Sequence, residues 1–191
     1  MNTLKIRSEC TLSISRSKFI GYAFPISSKE EFHQSLQKII KVHPKANHYC
    51  TAFQLSQEAD VYYLTNDDGE PRNSAGKPIL GQLQAFDITN SGIVVVRYFG
   101  GTKLGVGGLI KAYRNTAKEA ILKNSIIPFE ELIATTIKVD YNRLGEVCSR
   151  LDQLQITYKV RQETKHANVE LQVLKEKNDV LMAQISTLLN H

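Results

Sequence analysis

The sequence predicts an α+β protein of two domains, and three observations carry this prediction. The chain has 191 residues, a length that suits one large domain or two small ones. All five prolines and ten of the eleven glycines lie before residue 130, so the composition changes there. Beyond that point the apolar pattern follows the order β-α-β-β-α, which opens a split βαβ arrangement. We therefore predict a first domain over residues 1–130 and a second over residues 131–191.

The strands of the first domain are predicted from short apolar or alternating segments. These segments cover residues 4–14, 19–26, 48–55, 61–65 and 93–99. The segment at 93–99 is almost continuously apolar, which predicts a strand buried on both faces. The run Asn66-Asp67-Asp68-Gly69 has the composition of a turn.

Three helices follow from capping residues and helical periodicity. Ser28 and Glu31 form a capping box for a helix that Pro44 ends. Ser74 is a suitable N-cap for a second helix, over residues 74–86. Apolar residues on one stripe predict a third helix over residues 105–123.

The second domain follows a connector at 127–131, where Pro128 cannot continue the preceding helix. The predicted strands cover residues 135–140, 156–161 and 167–174, and the predicted helices cover residues 144–154 and 178–189. This order is the opening of a ferredoxin-like fold, which normally finishes with one more strand. Because the sequence stops at Asn190-His191, we expect that strand to be absent or replaced.

Composition and charge exclude several classes of protein. No apolar run approaches the roughly 18 residues that a membrane span needs, and the N-terminus does not resemble a secretory signal. The three cysteines form no C-x-x-C pair, so we expect neither a zinc site nor a disulfide framework. We expect no cofactor. The net charge of +5 favours anionic partners only mildly. We expect a cytoplasmic protein that is a monomer or small oligomer.

A glycine-rich turn lies between the predicted strand at 93–99 and the helix at 105–123. Such a junction points free backbone N–H groups and the positive end of a helix dipole at one place, which suits a phosphate. The spacing matches neither a Walker loop nor a dinucleotide fingerprint. Close packing of a helix on a sheet also needs glycines, so both interpretations stay open. The candidate glycines are Gly100, Gly101, Gly105, Gly107 and Gly108.

Basic residues accompany this turn. Arg97 precedes it, Lys103 lies in it, and Lys111, Arg114 and Lys118 follow at helical spacing. A row of this kind is typical of contacts to a phosphate backbone. It is equally typical of a solvated helix face, and the sequence does not decide between the two.

An acidic turn supplies the other candidate chemistry. Asp67, Asp68 and Glu70 could hold Mg²⁺ or transfer protons. His48 and Cys50 alternate on a strand, so they share a face and could join the carboxylates. Arg72 could neutralise the acids, and Ser74 or Cys50 with His48 as base is a weaker hypothesis for a nucleophile. The alternative is an ordinary Asp-Gly turn.

Several motifs together resemble the Impact/YigZ family. They are Ser17-Lys18-Phe19-Ile20, His48-Tyr49-Cys50-Thr51-Ala52, Asp67-Asp68-Gly69-Glu70-Pro71, Ala75-Gly76-Lys77-Pro78-Ile79-Leu80 and the long block from Val94 to Tyr113. The resemblance covers nearly the whole chain. It implies a first domain similar to domain 2 of ribosomal protein S-five. It also implies a ferredoxin-like second domain, similar to the C-terminal domain of elongation factor G.

The resemblance also carries functional expectations. Eukaryotic relatives regulate translation by competing for a ribosome-associated activator of a stress kinase, and bacterial members have been proposed to bind nucleic acid or the ribosome. The family brings no established catalytic residues. Where it usually has Ser-Gly-Thr, this chain has Arg72-Asn73-Ser74. Because Asn tolerates left-handed backbone, the turn is expected to survive.

Three functional hypotheses follow. The first is a translation-linked regulator that binds RNA or the ribosome, with the basic residues contacting phosphates beside the glycine-rich turn. The second is a metal-assisted enzyme acting on a phosphorylated substrate through the acidic turn. The third is a regulator of translation that binds a protein partner.

Overall fold

The computed structural model describes residues 1–57 and 60–189. The chain forms two compact units, one from Met1 to Phe129 and one that starts at Glu130. None of the helices in the described part is long and apolar enough to cross a membrane.

A five-stranded antiparallel sheet organises the first unit. The elements of this unit are β1 (Asn2–Leu4), β2 (Ser8–Ile14), β3 (Ser17–Pro25), α1 (Lys29–Val42), β4 (His48–Gln57), β5 (Asp60–Asn66), α2 (Gly76–Ala85), β6 (Ser91–Tyr98), α3 (Gly105–Leu122) and β7 (Ile126–Pro128). The strand order in the sheet is β2-β3-β6-β4-β5. Both β3 and β4 are antiparallel to β6, which lies between them, so β3, α1 and β4 form a split βαβ crossover.

The sheet has an apolar layer on each face. Ile93 and Val95 of β6 pack with α2 and α3, whereas Val94 and Val96 pack with α1. This arrangement confirms that the continuous apolar run is a strand buried on both sides. It also accounts for the apolar stripe of α3, which is the helix face that covers the sheet.

One prediction about the edges of this unit was wrong and another was incomplete. The single strand expected at 4–14 is two strands, with a break between Leu4 and Ser8. The expected connector at 127–131 contains the boundary between the two units, but its first residues belong to β7, which pairs with β1. Pro128 is compatible with this pairing because it ends a short edge strand, where a missing N–H is tolerated.

The second unit consists of β8 (Leu132–Val139), α4 (Tyr141–Gln153), β9 (Thr157–Gln162), β10 (Ala167–Leu174) and α5 (Asn178–Leu189). Its three strands are antiparallel in the order β8-β10-β9, and its apolar core lies between this sheet and the two helices. This order matches the first three strands of a ferredoxin-like fold and confirms the predicted fold class. Within the described residues no strand follows the last helix, and residues 190 and 191 lie outside them.

Candidate functional site

A groove of about 390 Å³ in the first unit brings together residues from both candidate turns. Five of its lining residues were predicted from the sequence, namely His48, Glu70, Arg97, Lys103 and Gly105. Its remaining walls are largely apolar and include Phe99, Leu104 and Val106. The acidic turn and the glycine-rich turn therefore border one cavity.

Strand register explains why distant residues meet at this groove. His48 of β4 lies directly opposite Arg97 of β6, and opposite residues point to the same face of a sheet. The acidic turn follows β5, the neighbour of β4. Because α3 begins soon after β6 ends, the glycine-rich turn lies at the same end of the sheet.

The floor of the groove is a buried network centred on Glu70. Oε1 of Glu70 accepts hydrogen bonds from Arg97 Nη1 at 2.6 Å and from the Tyr113 hydroxyl at 2.7 Å. Nε2 of His48 lies 3.8 Å from the same oxygen. Arg97 is only 5% exposed. Its charge is therefore paired inside the protein, and its other contacts are to Ser17 and the rings of Phe19 and Phe99.

Burial determines the protonation state of Tyr113 in this network. Burial raises the pKa of Tyr113 far above its usual range, and nearby Cys50 and Glu70 raise it further. The phenol thus stays protonated and donates a hydrogen bond to Glu70. Nδ1 of His48 donates to the carbonyl oxygen of Asp68 at 2.7 Å. A carbonyl can only accept, so Nδ1 of His48 carries a hydrogen.

The acidic turn does not gather its carboxylates around one point. Oδ1 of Asp67 accepts from the N–H groups of Ala75 and Gly76 at 3.0 and 2.8 Å, and Asp68 Oδ2 accepts from Tyr49 N at 2.6 Å. Glu70 faces the buried network instead. Within the described residues there is no group of three or more His, Cys, Asp or Glu side chains able to hold a metal.

The predicted N-cap of the second helix was wrong. The N-cap position of α2 is Ala75, and the Ser74 hydroxyl is buried without a hydrogen-bond partner within the described residues. Asp67 takes over this role from a distance, because its carboxylate accepts from the first N–H groups of the helix. Asn73 has φ +63°, so the left-handed turn expected there is present, and neighbouring Arg72 is exposed.

The glycines of the turn have different structural reasons. A Cβ at Gly100 would lie 2.0 Å from the carbonyl oxygen of Arg16, and the Gly100 N–H already donates to Ser17 Oγ. Gly101 and Gly105 have left-handed backbone, with φ +83° and +68°. Gly107 faces open space, whereas a Cβ at Gly108 would press on Leu104. Close packing therefore explains Gly100, and only part of the turn offers free backbone.

The remaining basic residues are on the surface. Lys111, Arg114 and Lys118 lie on one exposed face of α3, which we call the basic stripe, and Lys103 is exposed in the preceding turn. Within the described residues none of these four has a carboxylate within 4.0 Å. Arg97 differs from them because it is buried and ion-paired.

The sequence did not single out three members of the site. Tyr113 lies on the apolar stripe of α3, and nothing in the neighbouring sequence indicates a partner for its hydroxyl. Ser17 accepts the Gly100 N–H from a strand far away in the chain. Phe99 ends the apolar strand predicted at 93–99, and the one sequence signal for it is an aromatic residue placed between Arg97 and Lys103.

We expect Cys50 to be inert toward thiol reagents in the folded protein. Its side chain is buried, its Sγ donates to the carbonyl oxygen of Asp67 at 3.0 Å, and burial raises the pKa of its thiol well above the usual range. Alkylation at pH 8 followed by peptide mass spectrometry should label the less buried Cys148 first, and Cys50 only after unfolding. Rapid labelling of Cys50 in the folded protein would contradict this expectation and would support the hypothesis that Cys50 is a nucleophile.

Comparisons of the sequence and of the structure both find similar proteins. The sequence profile of the Impact N-terminal domain matches residues 15–121. The IMPACT family member YvyE of Bacillus subtilis is 31% identical over 188 residues, which cover 98% of this chain and 86% of that protein. The IMPACT family member YigZ of Escherichia coli is 33% identical over 141 residues, covering 73% and 69%. A crystal structure described as a hypothetical protein aligns with a TM-score of 0.75 at 25% identity, covering 97% and 91%.

Proposed function

Because this chain belongs to the Impact family, we propose that it is a translation-linked regulator that binds RNA or the ribosome. The phosphate contacts come from Lys103, Lys111 and Arg114, beside backbone N–H groups of the glycine-rich turn. The link to translation rests on the family resemblance. The assignment of the binding surface rests on the charges and contacts of the first unit.

The observation that carries this proposal is the set of exposed cations without acidic partners. A surface Lys or Arg that is already paired gives up that contact when it binds phosphate. Lys103 and the basic stripe have no carboxylate within 4.0 Å in the described part of the chain. They can therefore bind phosphate without breaking an ion pair. Release of counterions from the nucleic acid then favours binding.

The start of α3 adds a second attraction for phosphate. No acidic residue lies in its first turn, and its N-cap, Leu104, makes no side-chain capping bond. The first N–H groups of a helix and its dipole favour a negative charge at this end. Arg97 and Glu70 do not contact the phosphate in this proposal. Their ion pair connects β6 to the acidic turn and so supports the groove from inside the protein.

A salt titration tests this proposal. We expect the Lys103→Ala/Lys111→Ala protein to bind RNA more weakly, and the slope of log K against log salt concentration to become shallower by about 2, or about 1 for each lost phosphate contact. Filter binding of a short RNA between about 50 and 200 mM salt measures both quantities. Lys38→Ala is the matched control, because it removes an exposed charge from α1 on the other face of the sheet.

Two results would contradict the proposal. The first is that the wild-type protein has no RNA affinity, and the second is a slope in the double variant equal to that of Lys38→Ala. Recovery of one protein from nuclease-treated lysate, without RNA affinity, would replace RNA binding by the protein-binding hypothesis. The metal-assisted hypothesis gains no support from the acidic turn, because Asp67 and Asp68 each accept backbone N–H bonds.

A further inference from the structure

We propose that the groove receives one unpaired nucleotide, with its base stacked on Phe99 and its phosphate at the start of α3. This inference rests on the proposed function and deepens it, because it names single-stranded RNA as the preferred ligand. It also assigns a role to Phe99, an aromatic side chain of the groove for which phosphate binding by the basic residues gives no role.

Phe99 is built as a stacking platform. Its ring lines the groove and is 45% exposed. Its N–H donates to Asn47 Oδ1 at 2.8 Å, which fixes the backbone, and Arg97 Cζ lies 5.4 Å from the ring centroid. The ring is thus held by Arg97 while part of its surface stays open to a base.

The phosphate end of the groove lies a few residues further along the chain. Lys103 and Gly105 line the same cavity as Phe99, and a side chain at Gly107 would meet nothing within 4 Å. A phosphate can therefore approach the first N–H groups of α3 without a steric barrier. Arg97 retains one unused donor beside this cavity, although its Nη groups are bonded to Glu70 and Ser17. It lines the groove, is 5% exposed, and its Nε has no hydrogen-bond partner within the described residues.

The size and walls of the groove suit one nucleotide. Its volume of about 390 Å³ falls in the range of small-ligand sites, roughly 300–1,000 Å³. Val106 and Leu104 provide apolar walls, and Asn47 and His48 provide polar groups that could contact a base edge. A base within a duplex is stacked on both faces and paired, so it cannot enter. The groove therefore favours RNA with unpaired nucleotides.

The experiment compares a single-stranded RNA with a duplex of the same length by fluorescence anisotropy. The wild-type protein should prefer the single strand, and Phe99→Leu should weaken single-strand binding by about five-fold or more without changing duplex binding. Phe99→Tyr, which keeps the ring, should retain the preference. Tyr63→Leu is the matched control, because Tyr63 is an aromatic residue of β5 that is 56% exposed and does not line the groove.

The outcomes separate this inference from the proposed function. Equal binding of single strand and duplex, unchanged by Phe99→Leu but weakened by Lys103→Ala/Lys111→Ala, would overturn the nucleotide site and leave RNA binding intact. No affinity for either RNA would overturn both. An equal loss in Phe99→Leu and Tyr63→Leu would also overturn the site, since the effect would not belong to the groove.

Discussion

Replacing Glu70 with alanine should destabilise the first unit by about 3–5 kcal/mol, the usual cost of removing one partner from a buried ion pair. Arg97 would keep its charge at 5% exposure without its carboxylate. The buried hydroxyl of Tyr113 would lose its acceptor as well. Urea denaturation followed by circular dichroism measures the change in the free energy of unfolding.

Two comparisons make this prediction specific. In an Arg97→Met background the same substitution should cost much less, because no unpaired charge remains. Glu146→Gln breaks an ion pair of 2.8 Å to Arg143 that is exposed to solvent, and it should cost less than about 1 kcal/mol. If Glu70→Ala cost no more than Glu146→Gln, the network would not be a structural element of the groove.

Replacing Gly100 with alanine is expected to destabilise the protein by about 3 kcal/mol or more, at the upper end of overpacking effects. The new Cβ would lie 2.0 Å from the carbonyl oxygen of Arg16, and backbone atoms cannot yield as a flexible side chain can. The glycine-rich turn would have to move away from the start of β3. Thermal unfolding and the yield of folded protein measure this effect.

Gly107→Ala is the matched control for the same chemical change. A Cβ at Gly107 meets nothing within 4 Å, and the residue lies in the first turn of α3. Alanine should therefore stabilise the protein, by up to about 1 kcal/mol, because it favours the helix over the unfolded chain. If both substitutions destabilised the protein equally, the cost of alanine would not depend on the close contact with Arg16. That contact would then not explain why residue 100 is glycine.

The Glu70→Ala and Gly100→Ala substitutions act on one continuous hydrogen-bond network. Ser17 Oγ accepts the Gly100 N–H and contacts Arg97, Arg97 pairs with Glu70, and Glu70 accepts from Tyr113 of α3. The glycine-rich turn is therefore attached at both of its ends to the sheet and the helix. Under the proposed function, a turn attached at both ends holds Lys103 and the first N–H groups of α3 in one arrangement before RNA binds, which lowers the cost of binding.

Local pattern predicted most elements but not the way they pair. The capping box at Ser28 and the helical stripe of α3 are properties of neighbouring residues, and both were found from the sequence. The pairing of β1 with β7 joins the two ends of the first unit, and no local pattern indicates it. For the same reason Ser74 was mistaken for a helix cap, since the carboxylate that caps α2 belongs to Asp67, several residues earlier.

The sequence by itself determined the α+β class, membership of the Impact family and the presence of basic residues around a glycine-rich turn. Each of these depends on residue types and their spacing along the chain. Only the tertiary structure decided that Arg97 is a buried partner of Glu70 and that Phe99 opens onto a groove. Glu70 and Arg97 are 27 residues apart, and Glu70 and Tyr113 are 43 apart. Contacts at such separations are set by strand register and helix packing, because these bring side chains together regardless of their distance in the chain.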